Sequence, residues 1–494
     1  MTPAQGATPD LAALPTLAGG VTVSAVGADN LRALRMAEPA TQRRLMLLVG
    51  RNGIGKSTYA RLFPLLRQST GPTREPLLWW KENEIDFGDF AKALRRGAEE
   101  MTFTFEFTDP FGNKLQASSS LRATDVGSRV HSVQLREQGT CFRLVFQDSG
   151  AIGRIEGSIV HHAFAADSAD TSRLLPPFAA EPSRLFGIPD EPEDPETVLT
   201  LFDAIFGRRR RHDLELEWRD ETTLLTSLER SLHSEHDKQA FETLKDDASR
   251  MLALREASFC WWAIERLRQA ETLVDEMARR SAYLGPFRAV PERGYRPSGS
   301  AVEQVDSRGG NLALFLVALT AAERRALNEY LARTLGFRVL TRPSGGQWEL
   351  QVELAPGETY DLLDVGFGYS QVLPVAVQLW ASGQLLSTSR TKERIATLVI
   401  EQPELHLHPH HQVLVARALA VSASAEQGPV QIVETHSDHL IGEIGMLIAR
   451  GQLPADRVGV LCMEPHPDGG THVRTATFDD EGVLHNWPTG FMSP

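Results

Sequence analysis

Cysteine is almost missing from this chain: Cys141, Cys260 and Cys462 are the only three in 494 residues. They stand too far apart for a metal-binding spacing or a disulfide framework. That excludes a cystine-stapled secreted scaffold and suits a reducing cytoplasm. No run of 18 apolar residues occurs, so no membrane span is expected. Residues 1–20 have neither a basic start nor a long apolar stretch, and read as a flexible tail rather than a signal peptide. Lysine is scarce, at seven of 51 basic residues, and the net charge of −13 excludes a protein that coats nucleic acid with its whole surface. Local basic patches, with DNA or RNA as a candidate partner, stay open. No repeat of 20–50 residues is visible. What is present, 42% hydrophobic and 23% charged residues, is ordinary for a soluble globular protein of two or three domains.

Against that scarcity of lysine, Gly50-Arg-Asn-Gly-Ile-Gly55-Lys56-Ser57 satisfies the phosphate-loop pattern G-x-x-x-x-G-K-[ST]. It follows the apolar run Leu45–Val49, read as a buried strand, and precedes a helix read over Ser57–Arg67 with Pro64 as a kink or early stop. Glycines let several N–H groups converge on one anion. Lys56 can reach the outer phosphates, and the Ser57 hydroxyl can ligate Mg²⁺. Asn52, Gly53, Gly55, Lys56, Ser57 and Thr58 are therefore the candidate nucleotide contacts, with ATP and Mg²⁺ as cofactors.

Residues 21–165 read as one lobe, in which strict alternation over Met101–Phe107 and short apolar runs at Val133–Leu135, Phe142–Phe146 and Ile152–Ile155 indicate an antiparallel subdomain. Residues 166–335 read as a mainly helical insertion with Pro-rich linkers, including Pro189–Pro195, and a basic cluster Arg208–Arg211 that is a solvated turn or a phosphate contact. Phe259, Trp261 and Trp262 within it read as core. Residues 336–494 restore strand–helix alternation after a hairpin around Pro343–Gly346. The fold class is α/β.

Two strand ends in this last lobe carry chemistry. Thr397–Ile400 runs into Glu401-Gln402-Pro403-Glu404, the place where a phosphate-loop enzyme sets its Mg²⁺ partner. Ser57 and Glu401 are the metal candidates. Gln431–Val433 runs into Glu434-Thr435-His436-Ser437, where His436 can face the γ-phosphate or position water, or merely cap a helix beside Ser437. His406, His408, His410 and His411 crowd one turn, but no Cys or separate His/Asp pair completes a zinc shell, so a turn facing a partner subunit is the preferred reading.

These strings carry a resemblance. Gly50–Ser57 resembles Walker A, Leu398–Glu401 Walker B, and Glu434–Ser437 a switch-histidine loop; Gly366-Phe-Gly-Tyr-Ser-Gln371 sits where ABC-type ATPases have their signature loop. Together they resemble the ABC/SMC-like ATPases of the OLD (overcoming lysogenization defect) group, most of all a bacterial branch with Val365–Gln371, Glu401–Pro409, Glu434–Ile441 and Trp487–Phe491 in these forms. The likeness covers about 20–110 and 280–494. It implies an ABC-type ATPase head, paired through two ATP molecules, each held by one subunit's loop and lidded by Gly366, Gly368, Ser370 and Gln371 of the other. It also implies a homodimer or higher homo-oligomer, cytoplasmic, serving antiphage defence or DNA processing. No fused nuclease is evident, so a separate effector nuclease is expected. Two departures stand out. The signature loop is not Leu-Ser-Gly-Gly-Gln, and Gln402 occupies the catalytic-glutamate position. An amide cannot accept a proton from water. Glu404 or His436 substitutes as base, or turnover is slow and the protein is an ATP-bound scaffold; a RecF- or SMC-like repair clamp is the other alternative.

Overall fold

The computed structural model describes residues 20–36, 38–70, 80, 84–125, 127–147, 152–157, 226, 242, 248–296, 302, 304–384, 394–467 and 470–487. The chain divides into two compact units, one of Met1–Pro72, Trp79–Ala98 and Asp275–Pro494, the other of Thr73–Leu78 and Glu99–Val274. Arg208–Arg211 and Pro189–Pro195 lie outside the described residues. Among the described residues no helix is long and apolar enough to cross a membrane.

The first unit is built on a mixed sheet whose strands, edge to edge, are Leu484–His485, Thr471–Phe478, Val458–Pro465, Leu45–Gly50, Val430–Glu434, Thr397–Glu401 and Ser281–Leu284. The last five in that order run parallel, and the first two are antiparallel additions. The reason is in the side chains. Leu45-Met-Leu-Leu-Val has no polar residue to offer water, so both of its faces must be covered, which is the condition of a parallel sheet. Leu45, Leu47 and Val49 join a core with Phe315, Leu331, Leu373, Val377, Leu419 and Ile444 from the helices on one side. Helices Lys56–Ala60 and Leu62–Gln68 pack on the sheet. Local signals set the helix ends: Thr320 and Glu323 form a capping box for Ala321–Leu335, and Gly336, at φ 79°, ends it. Asp438–Ala449, as expected from the sequence, is capped by the Ser437 side chain, which accepts from the Leu440 N–H. The expected hairpin is present as Arg338–Ser344 and Gln347–Ala355, turning at Gly345 and Gly346, both at positive φ, and Glu358–Asp361 adds a third strand.

In the second unit Glu100–Thr108, Lys114–Thr124, Gly127–Glu137, Thr140–Phe146 and Ile152–Gly157 form the expected antiparallel meander. Lys114–Thr124 is a strand that the sequence reading missed. Its serines hide the alternation, yet Ser120 and Ser118 pair with Thr102 and Thr104 across the ladder at 2.8 and 3.2 Å. Phe103, Phe105 and Phe107 are buried. Phe259, on helix Ala248–Arg279, meets Phe142 edge-on at 5.7 Å and stacks on Trp262 at 5.7 Å, as core residues should.

Two further differences from the sequence reading bear on the site. The helix after the loop is in two segments, Lys56–Ala60 and Leu62–Gln68, meeting at Arg61. Pro64 falls in the first turn of the second segment, where its missing N–H does least harm. Ser281–Leu284, within a stretch read as helical insertion and turns, is a fully buried parallel strand beside Thr397–Glu401.

Ile432 is fully buried in the strand next to the phosphate-loop strand. Ile432→Ala should cost about 2–5 kcal/mol through lost burial and a residual cavity. A urea melt would show it as a lowered midpoint.

Candidate functional site

Parallel pairing sets the site. Gln431–Glu434 lies against Leu45–Leu48, and Glu401 lies directly opposite Glu434. The loop after Gly50 and two carboxylate-bearing strand ends therefore emerge together at the carboxyl end of the parallel strands.

The loop takes left-handed backbone at Gly50 (φ 144°), Gly53 (φ 75°) and Gly55 (φ 112°). At Gly50 there is also no room, since a Cβ would sit 2.4 Å from the Met463 carbonyl oxygen. Asn52 and Gly53 are exposed, Ser57 is half-buried, and Thr58 is buried. Lys56 is 3% exposed; its ammonium donates to the carbonyls of Gly50 (2.9 Å) and Arg51 (2.8 Å). Burial pulls its pKa below the usual lysine value, opposed by the charges of Glu434 and Glu404. Thr471, at the start of the antiparallel strand Thr471–Phe478, holds the loop from the other side: its hydroxyl donates to Ala33 O at 3.0 Å and to Ile54 O. Nothing in the sequence marks that threonine.

Glu401, 1% exposed, is engaged from two directions. Arg61 grips it bidentately, Nε to Oε1 at 2.7 Å and Nη2 to Oε2 at 2.8 Å. The Tyr283 hydroxyl donates to Oε1 at 2.8 Å. Burial would lower the Arg61 pKa, but its bonds to Glu401 more than reverse this; burial and the Glu401 charge raise that of Tyr283. The expectation that Glu401 serves Mg²⁺ thus meets a carboxylate whose lone pairs are largely taken. Neither Arg61 nor Tyr283 was a candidate from sequence. Glu434 differs: its Oε2 is buried with no hydrogen-bond partner, and the Ser57 hydroxyl lies within bonding reach of its carboxylate. Burial, then the neighbouring Glu401 charge, raise its pKa.

Gln402 sits at φ 44°, its N–H donating to Glu434 O at 2.8 Å and its carbonyl accepting from Arg288 Nη1 at 2.9 Å. Arg288 is pushed down to about 10 by burial, despite Glu404 and Glu401 nearby. The Glu404 Oε1 accepts the His436 N–H at 2.6 Å, while its buried Oε2 has no partner. Burial raises the Glu404 pKa. Partial desolvation, then the Lys56 charge, lower that of His436, which favours its neutral form. Lys56, Ser57, Glu401, Gln402, Glu404 and His436 are thus brought together.

The signature-like turn is elsewhere. Gly366 and Phe367 are exposed at the start of helix Phe367–Ser382, and Gly368 is half-buried. Ser370 and Gln371 are buried, the Ser370 hydroxyl donating to Phe367 O at 2.7 Å. Both lie on an apolar helix that covers the sheet, so they point inward. Phe367 and Tyr369 meet the rings of His406 (5.7 Å) and His411 (5.3 Å). His408 caps helix Pro409–Ser424. Among the described residues no group of three or more His, Cys, Asp or Glu is arranged to hold a metal ion.

Residues 327–441, spanning the signature-like turn, Glu401–Glu404 and Glu434–Ser437, match a family described as AAA ATPase domain. That segment is thus similar to an ATPase-type domain. No curated protein matches the chain. Among solved structures it is similar to an SMC head domain of Pyrococcus furiosus bound to the C-terminal domain of ScpA (9% identity, 92% of this chain and 96% of that one, TM-score 0.37). It is also similar to the SMC head of Thermotoga maritima (8%, 92% and 98%, 0.35) and to the recombination mediator RecF with ATP (9%, 92% and 99%, 0.31). Overlaps this loose carry no argument about mechanism or partners.

Removing one partner of a buried ion pair strands the other charge. Arg61→Ala should therefore cost about 3–5 kcal/mol, and Arg61→Lys, lacking the fork, should recover only part of it. Denaturant melts of the three proteins check the order.

Proposed function

We propose that this protein binds ATP at Gly50–Ser57 and hydrolyses it slowly, as a head-type ATPase subunit that works in pairs. The observation that carries this reading is the convergence of the phosphate loop with Glu401, Glu404, Glu434 and His436 at the carboxyl end of the parallel strands. In it Lys56 and the loop N–H groups hold the phosphates. The Ser57 hydroxyl and a strand-end carboxylate would hold Mg²⁺, which would supply neutralisation of phosphate charge. Glu404 takes the proton from the attacking water: it has one buried carboxylate oxygen without a partner and a second anchored by the His436 N–H. Its raised pKa suits a base better than an ordinary carboxylate. His436, neutral at pH 7, orients the water. Gln402 contributes backbone bonds and no base. A second copy supplies the lid through the exposed Gly366–Phe367 turn, with Ser370 and Gln371 supporting that turn from within. The role in antiphage defence, with a separate effector nuclease, rests on the resemblance of the strings alone. A non-hydrolysing ATP scaffold is the second reading, and Gln402 is the residue that favours it.

Lys56→Ala should abolish ATP binding in calorimetry; unchanged affinity would refute the site. Glu404→Gln should lower steady-state phosphate release about 10²–10⁴-fold with ATP affinity kept, the range of a lost general base. Gln402→Glu, measured in the same assay, should raise turnover; an enzyme that gains nothing and does not suffer from Glu404→Gln has its base elsewhere.

A further inference from the structure

The residue taken from the sequence as the metal carboxylate is the one least able to serve. Glu401 offers about four acceptor positions, as any carboxylate does, and Arg61 and Tyr283 occupy three of them at 2.7–2.8 Å. A cation arriving there would have to break a bidentate guanidinium pair. One strand closer to the loop, Glu434 is 3% exposed and has no ion pair among the described residues. Its Oε2 is buried with no partner, and its carboxylate is within reach of the Ser57 hydroxyl. Lys56, one of two cations whose charge acts on it, spends two of its protons on the carbonyls of Gly50 and Arg51. A buried carboxylate oxygen without a donor is costly to keep, and a hard divalent cation prefers oxygen ligands of this kind.

Resting on the nucleotide reading of the loop, we infer that Glu434, and not Glu401, is the protein carboxylate that holds the nucleotide's Mg²⁺ together with Ser57. Glu401 is a positioning residue: clamped by Arg61 and Tyr283, it ties the loop helix and the strand Ser281–Leu284 to its own strand end. The structure places the two glutamates opposite each other in register, so the choice between them is made by their neighbours and not by their depth in the sheet.

Mn²⁺ is the probe, followed by loss of its solution electron paramagnetic resonance signal, with the full chain and ATP. Wild type should take up Mn²⁺ only when ATP is present. Glu434→Gln should weaken that uptake about 10–100-fold, the range for a lost carboxylate at a metal site, while ATP affinity in EDTA is unchanged or improved. Glu401→Gln should change Mn²⁺ affinity less than about threefold, its damage appearing as a lower melting point. Glu434→Cys guards against a glutamine variant that does not fold: a thiolate at the ion should shift preference from Mn²⁺ toward Cd²⁺, relative to wild type. A loss at Glu401→Gln as large as that at Glu434→Gln, or a Glu434→Cys variant with wild-type metal preference, overturns the assignment. Wild type that binds no ATP even in EDTA overturns the nucleotide reading beneath it; wild type that binds ATP but variants that bind Mn²⁺ equally overturns only the role of Glu434.

Discussion

The parallel ladder between Leu45–Leu48 and Gln431–Glu434 is the constraint on which the rest depends. It joins segments nearly 390 residues apart in the chain. Because side chains alternate along a strand, a slip of one residue would turn Glu434 and Glu401 to the opposite face and bring the apolar residues between them to the strand ends. Burial on both faces resists such a slip. Leu45, Leu47 and Val49 are committed to one core, and Met46 and Leu48 are just as fully covered. Position of the chemistry is thus fixed by hydrophobic packing several residues away from it.

Once fixed there, three glutamates, two buried and Glu404 half-buried, acquire different characters from their neighbours. Glu401 has two hydrogen-bonding partners with three bonds. Glu404 has one oxygen on a backbone N–H and one without a donor. Glu434 faces a hydroxyl and keeps a buried oxygen unmatched. Burial raises the pKa of the last two, so their charge is held in place by surroundings that do not fully compensate it. Incomplete compensation is a liability in a structural core and an asset where charge is to be exchanged with a phosphate, a proton or a cation.

The parts legible in the sequence were those written locally. A glycine-lysine-serine loop after an apolar strand, carboxylates at a strand end, a serine before a helix: each is decided by residues within a few positions, and each is found where expected. The parts that were not legible are pairwise and remote. Arg61 sits in a helical pattern like any exposed arginine, and only the approach of a residue 340 positions away makes it a clamp. Tyr283 lies 118 positions from the carboxylate it serves. Thr471 is one polar residue in an antiparallel strand, and its bond to the loop carbonyl of Ile54 spans 417 positions. Ser281–Leu284 has four residues and no flanking signal strong enough to separate a strand from the end of a long helix.

The signature-like turn shows how a motif can keep its place while its residues change work. Ser370 and Gln371 are packed against the sheet because the helix they belong to is apolar from Val372 to Trp380 except at Gln378, and its first turn is drawn inward with the rest. What stays at the surface is Gly366 and Phe367. Glycine there, at φ 107° with nothing within 4 Å of a would-be Cβ, leaves backbone groups open to an approaching ligand. Behind that turn stand His406, on the loop that leaves Glu401 and Glu404, and His411, in the first turn of the helix Pro409–Ser424 that follows it. A displacement of the carboxylate loop must therefore repack the aromatic contacts under the turn, and a partner seated on the turn must load the same contacts from outside. Rings in direct contact thus join the segment that follows Glu401 and Glu404 to the exposed Gly366–Phe367 turn.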